Sequence, residues 1–252
     1  MTLHPLAEHF ASVADVYERG RPEYPAAVVG AIAAELSLAP HAAVLDLAAG
    51  TGKLTRALLA ASMEVLAVEP QAELREKLAA RVGAERVREG LAEAIPLPDA
   101  SFDAVTVADA FHWFDQAVAL AEIHRVLRPG GGLAVLTTIP DWRGASWADE
   151  LGKLMQSVRP EHPGFDGPPW QDIVRGAGGW TPPREIRVTS SQAADPQAIV
   201  DYLASVSWIA AMPDAERAQI LAQLAALVGE GETPAELRVH VVIGLTALEV
   251  VA

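Results

Sequence analysis

The sequence predicts an α/β fold, a doubly wound, mostly parallel sheet of seven strands with helices on both faces and a helical insertion late in the chain. Three observations carry this. Short apolar runs alternate with helical runs from residue 42 to residue 138. The apolar runs lack polar alternation, as strands covered on both faces do. Residues 185–190 and the apolar run 237–248 then supply the last strands.

Pro25 opens a first helix over residues 26–36, its fixed φ suited to the first helical position. Residues 43–47, Ala-Val-Leu-Asp-Leu, form a buried strand that enters the loop Ala48-Ala49-Gly50-Thr51-Gly52. A helix follows over 53–62. The second strand, 65–68, stops at Glu69-Pro70, where proline ends the ladder. Residues 71–82 are helical, with Leu74, Leu78 and Val82 on one face. A short third strand lies near Val87, a fourth spans 102–108, a helix spans 117–127 and a fifth strand spans 133–138. Helices are expected over 148–158, 196–211 and 214–228, with Pro213 separating the last two. Ligands of such sheets sit at the carboxyl ends of the strands, here positions 46–52, 69–70, 90–93 and 108–114.

The chain reads as a single domain. Residues 1–139 form the core with an N-terminal lid helix, and 140–252 complete the sheet around a helical substrate lid. At 252 residues it can bury roughly 70–75% of its unfolded surface and needs no disulfide or metal staple. Nineteen basic against 33 acidic residues give a formal charge of −14. Such a surface repels phosphate backbones, so no nucleic-acid partner is expected. The absence of cysteine removes thiol nucleophiles, iron–sulfur clusters and Cys-ligated zinc, and suits a reducing compartment. The N-terminal segment from Met1 lacks a basic region followed by an apolar one, and no uncharged apolar run reaches the ~20 residues of a membrane span. A cytoplasmic protein without a membrane partner is expected, as monomer or homodimer. The seven histidines match no metal-ligand spacing.

The loop at 46–52 fits neither common phosphate loop. A P-loop needs glycine where Leu47 stands and Ser or Thr where Leu54 stands. The dinucleotide fingerprint needs a third glycine at Thr55. The pattern Leu45-Asp46-Leu47-Ala48-Ala49-Gly50-Thr51-Gly52 instead resembles class I S-adenosylmethionine-dependent methyltransferases, and within them the type 11 small-molecule group. The resemblance covers about the first 140 residues, and Ala48 stands where that family usually has glycine. It implies a Rossmann-like fold and S-adenosyl-L-methionine as cofactor. Asp46 would lie near the amino-acid end of that cofactor. Ala48, Gly50, Thr51 and Gly52 would let the backbone approach it. Glu69, followed by Pro70 and 19 residues beyond Gly50, would accept from the ribose hydroxyls.

Three more segments are similar to that family. Gly90-Leu91-Ala92-Glu93-Ala94-Ile95-Pro96-Leu97-Pro98-Asp99-Ala100-Ser101-Phe102-Asp103 matches nearly residue for residue. It implies Ala92 and Glu93 at the adenine edge, with Phe102 in the core and Asp103 as a local hydrogen bonder. Val107-Ala108-Asp109-Ala110-Phe111-His112-Trp113 implies Ala108 and His112 beyond the fourth strand, with Asp109 where the family usually has Gln. His112 is the candidate catalytic residue, as a base or as a substrate-orienting group, and packing is its competing role. Tyr17-Glu18-Arg19-Gly20-Arg21-Pro22-Glu23-Tyr24-Pro25 resembles a segment that folds over the cofactor. Tyr17 would close over the methionine end, and Arg21 would bind a carboxylate, that of the cofactor or of an acidic substrate.

The resemblance implies transfer of a methyl group from S-adenosylmethionine to a small-molecule acceptor, at oxygen and including a carboxylate, with carbon and nitrogen acceptors left open. A non-catalytic S-adenosylmethionine-binding scaffold is the alternative. All six tryptophans lie at or after position 113. Half are expected to line a pocket and half to pack.

Overall fold

The computed structural model describes residues 3–249; Met1 and Thr2 of the N-terminal segment fall outside it, as do residues 250–252. The chain begins with α1 (Pro5–Glu8), α2 (Ala14–Gly20) and α3 (Ala26–Glu35). Pro25 is the residue before the first turn of α3 and not part of it. The alternating region then runs β1 (Ala43–Leu47), α4 (Lys53–Ala60), β2 (Glu64–Val68), α5 (Ala72–Val82), β3 (Val87–Arg88), β4 (Phe102–Ala108), α6 (Gln116–Val126) and β5 (Leu127–Asp141).

After β5 come α7 (Ala148–Val158), α8 (Pro163–Asp166), α9 (Trp170–Ala177) and β6 (Arg184–Ala193). The chain ends through α10 (Pro196–Ala204), α11 (Ser207–Ala210), α12 (Asp214–Glu230) and β7 (Glu236–Ala247). The helix expected over 196–211 is broken. Ser205 donates its hydroxyl back to the Tyr202 carbonyl at 2.7 Å, and Val206 is extended before α11 starts. Asp195 caps α10 by accepting from the Gln197 and Ala198 amides.

The seven strands pair in the order β3-β2-β1-β4-β5-β7-β6. Strands β1 to β5 are parallel, and β7 runs antiparallel between β5 and β6. Alternate residues face opposite ways along each strand, and both faces are covered. Leu45, Val105 and Leu133 pack with Leu120 and Ile123 of α6. On the other face Val44, Ala104 and Ala134 meet Ile32 of α3 and Leu58 of α4. A separate cluster, with Trp147, Leu151, Leu203, Leu224 and Val228, joins α7, α10 and α12. Consecutive strands lead outward in opposite directions from the β1/β4 pair, so a crevice opens at their carboxyl ends, where ligands of such sheets bind.

Candidate active site

The loop after β1 is built on left-handed backbone. Ala48, Gly50 and Gly52 have φ of 55°, 58° and 86°. Ala48 therefore carries a side chain where glycine is less strained. A Cβ on Gly50 would meet nothing within 4 Å; Gly50 lines a cleft of about 560 Å³, so its missing side chain leaves room for a ligand. A Cβ on Gly52 would come 2.5 Å from Leu78 Cδ1, so that glycine serves the packing of α4 on α5.

Glu69 pins this loop to the end of β2. One carboxylate oxygen accepts from the Gly50 amide and the other from the Gln71 amide, both at 2.9 Å. The residue is 3% exposed. Burial pushes its pKa up to about 7 against those two hydrogen bonds and the nearby Arg75. Each carboxylate oxygen has a second acceptor position, and Glu69 lines the cleft beside Pro70, Ala92 and Glu93. Glu93 accepts from the Asp115 amide at 2.8 Å, which ties the turn after β3 to the start of α6.

Asp46 is turned into the loop's support. Its oxygens accept from the Thr55 hydroxyl at 2.6 Å and the Thr106 hydroxyl at 2.9 Å, and burial raises its pKa to about 6. Beyond β4, Asp109 is left-handed, with φ of 53°. It accepts from the Thr138 amide at 2.8 Å and from the Tyr24 hydroxyl at 3.2 Å. That engagement gives a structural use to the carboxylate at this position.

His112 sits in a short 3₁₀ turn, residues 111–113. Its ring packs 4.4 Å from Trp113 and 5.3 Å from His162, centroid to centroid. Burial, reinforced by His162, His4 and Arg21, pulls its pKa down to about 3, so the imidazole is neutral at physiological pH.

The N-terminal segment lies over the loop and against α10. Lys53 pairs with Glu23 at 2.6 Å, Arg56 with Glu18 at 3.3 Å and Arg19 with Asp201 at 2.7 Å. Any Cβ on Gly20 would collide with the Asp201–Tyr202 backbone, so glycine permits the close crossing of α2 and α10. Tyr17 is half-buried, and desolvation of its hydroxyl raises that group to about 12. The Arg21 guanidinium lies 4.4 Å from the Tyr202 ring centroid and 5.2 Å from that of Tyr17. It donates to the Ser205 hydroxyl at 3.0 Å, and among the described residues it has no carboxylate within 4.0 Å.

A family model described as a methyltransferase domain matches residues 45–135. An uncharacterized methyltransferase of Mycobacterium tuberculosis is 40% identical over 214 residues, covering 84% of this chain and 82% of that one. The chain belongs to the type 11 group of class I S-adenosylmethionine-dependent methyltransferases. A solved structure of a candidate type II methyltransferase from Anaeromyxobacter dehalogenans superposes with a TM-score of 0.64 at 28% identity, covering 92% of this chain and 98% of that one. A demethylmenaquinone methyltransferase of Thermus thermophilus is 43% identical over 109 residues, 40% of this chain and 50% of its own.

Within this methyltransferase, Tyr17, Arg21, Ala48, Gly50, Glu69, Pro70, Ala92, Glu93, Ala108 and His112 all line one cleft. Asp46, Thr51 and Gly52 do not line it; Asp46 and Thr51 border a small adjoining void of about 30 Å³. Three of the six tryptophans, Trp113, Trp170 and Trp208, line the cleft, while Trp142, Trp147 and Trp180 pack in or against apolar clusters. The sequence reading missed Tyr24, His162, Tyr202 and Ser207. Tyr24 stood in a quoted motif, but the other three lie outside any motif, and only the fold brings them to the cleft.

Proposed function

We propose that the methyltransferase binds S-adenosyl-L-methionine along Ala48, Gly50, Glu69, Pro70, Ala92 and Glu93 and methylates a small-molecule acceptor at oxygen, carboxylates included. The observation that carries this reading is the buried Glu69 carboxylate, fixed by two backbone amides at the rim of the cleft beside the side-chain-free Gly50. A ribose diol offers two hydroxyl donors, and a carboxylate so held accepts both. Ala92 and Glu93, which line the same cleft, are assigned the adenine edge, and Tyr17, also in its lining, the methionine end. Asp46 acts through the loop it braces.

The bound cofactor supplies an electrophilic methyl group on a sulfonium. The protein's part is to hold the acceptor oxygen in line and to keep water out. Helices α8 and α11, with the segment Tyr17–Tyr24, form the lid that does this. Arg21 is held from the α10 side by Tyr202 and Ser205, which favours an acceptor carboxylate as its partner. Burial disfavours the protonated form of His112, and its ring lies on the cleft wall against Trp113 and His162, which supports an orienting role over that of a base. The match to the demethylmenaquinone methyltransferase covers 40% of this chain and carries no acceptor across.

Calorimetric titration with S-adenosylmethionine, S-adenosylhomocysteine and NAD tests the cofactor. Both sulfur ligands should bind and NAD should not. Methyl transfer from labelled cofactor to a panel of carboxylates, phenols and amines tests the acceptor. Binding with no transfer to any member would favour the non-catalytic scaffold.

A further inference from the structure

One wall of the cleft is aromatic and is assembled from two distant parts of the chain. His162 is its hub. Its ring lies 4.8 Å from Trp113, 5.1 Å from Phe165, 5.3 Å from His112 and 5.4 Å from Trp208, and all five residues line the cleft. Phe165 is 65% exposed despite its size, so the wall continues to the mouth.

The hydrogen bonds of this wall fix a direction. His162 Nδ1 accepts from the Gly164 amide at 3.1 Å. In a neutral imidazole the proton is then on Nε2, which donates to Ser207 Oγ at 3.2 Å. The Ser207 hydroxyl hydrogen is left for another partner. Among the described residues the indole nitrogens of Trp113 and Trp208 have no acceptor, and an unmatched buried donor costs about 1–3 kcal/mol. Arg21 adds a positive charge with most of its five donors unused. The carboxylates of the cleft are otherwise engaged: Asp109 by Thr138 and Tyr24, Glu93 by Asp115, Glu185 by Trp170 and Gln171. Glu69 belongs to the proposed cofactor end. One short segment joins charge to wall. Ser205 holds Arg21, Ser207 is held by His162, and Trp208 is part of the wall.

We propose that the acceptor is an aromatic carboxylate, its ring laid on the His162-centred wall and its anionic oxygens met by Arg21 and Ser207. This rests on the methyl-transfer reading above and narrows its acceptor. An apolar aromatic surface with unmatched donors suits a flat ring whose oxygens accept and do not donate.

The probe is benzoate, with cyclohexanecarboxylate as the charged ligand lacking a π face and benzamide as the ring lacking charge. Each is titrated into the full chain with and without saturating S-adenosylhomocysteine, read by calorimetry and by tryptophan fluorescence. Benzoate should bind about tenfold or more tightly than either control, since the ring contacts and the charge-assisted hydrogen bonds are each removed in turn. Ser207→Ala should weaken benzoate roughly fivefold and leave S-adenosylhomocysteine affinity unchanged. Equal binding of cyclohexanecarboxylate or benzamide, or no benzoate binding to protein that binds S-adenosylhomocysteine, overturns the proposal and leaves the cofactor reading standing. Failure of S-adenosylhomocysteine to bind sinks the cofactor reading instead, and the three probes then decide the wall's preference on the protein alone.

Discussion

Glu69 makes the cofactor reading testable through pH. Its pKa is raised from 4.5 to about 7, chiefly by burial. If the ionised carboxylate is the form that accepts both ribose hydroxyls, affinity follows the ionised fraction. That fraction falls about tenfold between roughly pH 8.5 and pH 6, or about 1.4 kcal/mol. S-adenosylhomocysteine should therefore bind about tenfold more weakly at the lower pH. Glu69→Gln keeps the shape but has a single oxygen, so the Gly50 and Gln71 amides cannot both be met. Its affinity should drop roughly 10–100-fold at the higher pH through lost charge-assisted bonds, and it should no longer vary with pH. Stability moves the other way. A carboxyl whose folded pKa lies above its unfolded value contributes most below about pH 4.5, and that contribution is lost as pH rises through 7. Unfolding in urea should show wild type losing on the order of 3 kcal/mol from this group across that window, a loss absent in the glutamine variant. A wild-type affinity that is flat with pH, or a slope shared by the variant, would refute the assigned role.

Three other outcomes follow from the geometry. Ala48→Gly removes left-handed strain of ~1–2 kcal/mol and adds ~0.4–1 kcal/mol of unfolded-state freedom, so the urea midpoint should rise by about 0.5 kcal/mol equivalent; a lower midpoint counts against strain at φ 55°. Gly52→Ala meets Leu78 at 2.5 Å in a left-handed turn and should cost ~1–3 kcal/mol, visible as a lower melting temperature; a wild-type melt would show the loop giving way freely. With its pKa near 3, His112 does not titrate in the working range, so His112→Phe should leave the shape of the kcat/KM profile between about pH 6 and pH 9 unchanged. Loss of an inflection near the ordinary histidine pKa on substitution would mark it as a base.

The sheet was legible because parallel strands announce themselves locally. Each of β1, β2, β4 and β5 is an apolar run whose neighbours in sequence are the helices that cover it, so pattern and burial coincide. The edges were less so. Strand β5 extends back to Leu127 through Pro129–Gly132, where its register against β4 slips between Phe102 and Ala104, and no periodicity encodes a slip. Helix α10 ends at Ala204, and the Ser205 hydroxyl that follows donates to the Tyr202 carbonyl and accepts from Arg21, a partner 184 positions away in the chain that no local pattern encodes.

The same contrast divides the site. The residues that surround the proposed cofactor end sit in contiguous motifs because each is fixed by its own turn: Gly50 by φ, Glu69 by the end of β2, Ala92 and Glu93 by the turn after β3. Even there, spacing did not reveal where side chains point. Asp46 is adjacent to the loop in sequence, yet Thr55 and Thr106 draw its carboxylate away from the cleft. The proposed acceptor wall has no contiguous code. His162 meets His112 and Trp113 only because α8 folds onto the turn after β4, and Arg21 meets Ser205 only because Gly20 lets α2 cross α10. Gly20→Ala should therefore disturb Arg21 and, through Tyr17 on the same helix, the cover over the loop, while the Glu69–Gly50 clasp keeps its own bond. Calorimetry should show benzoate affinity falling more than S-adenosylhomocysteine affinity, and an equal fall would refute this.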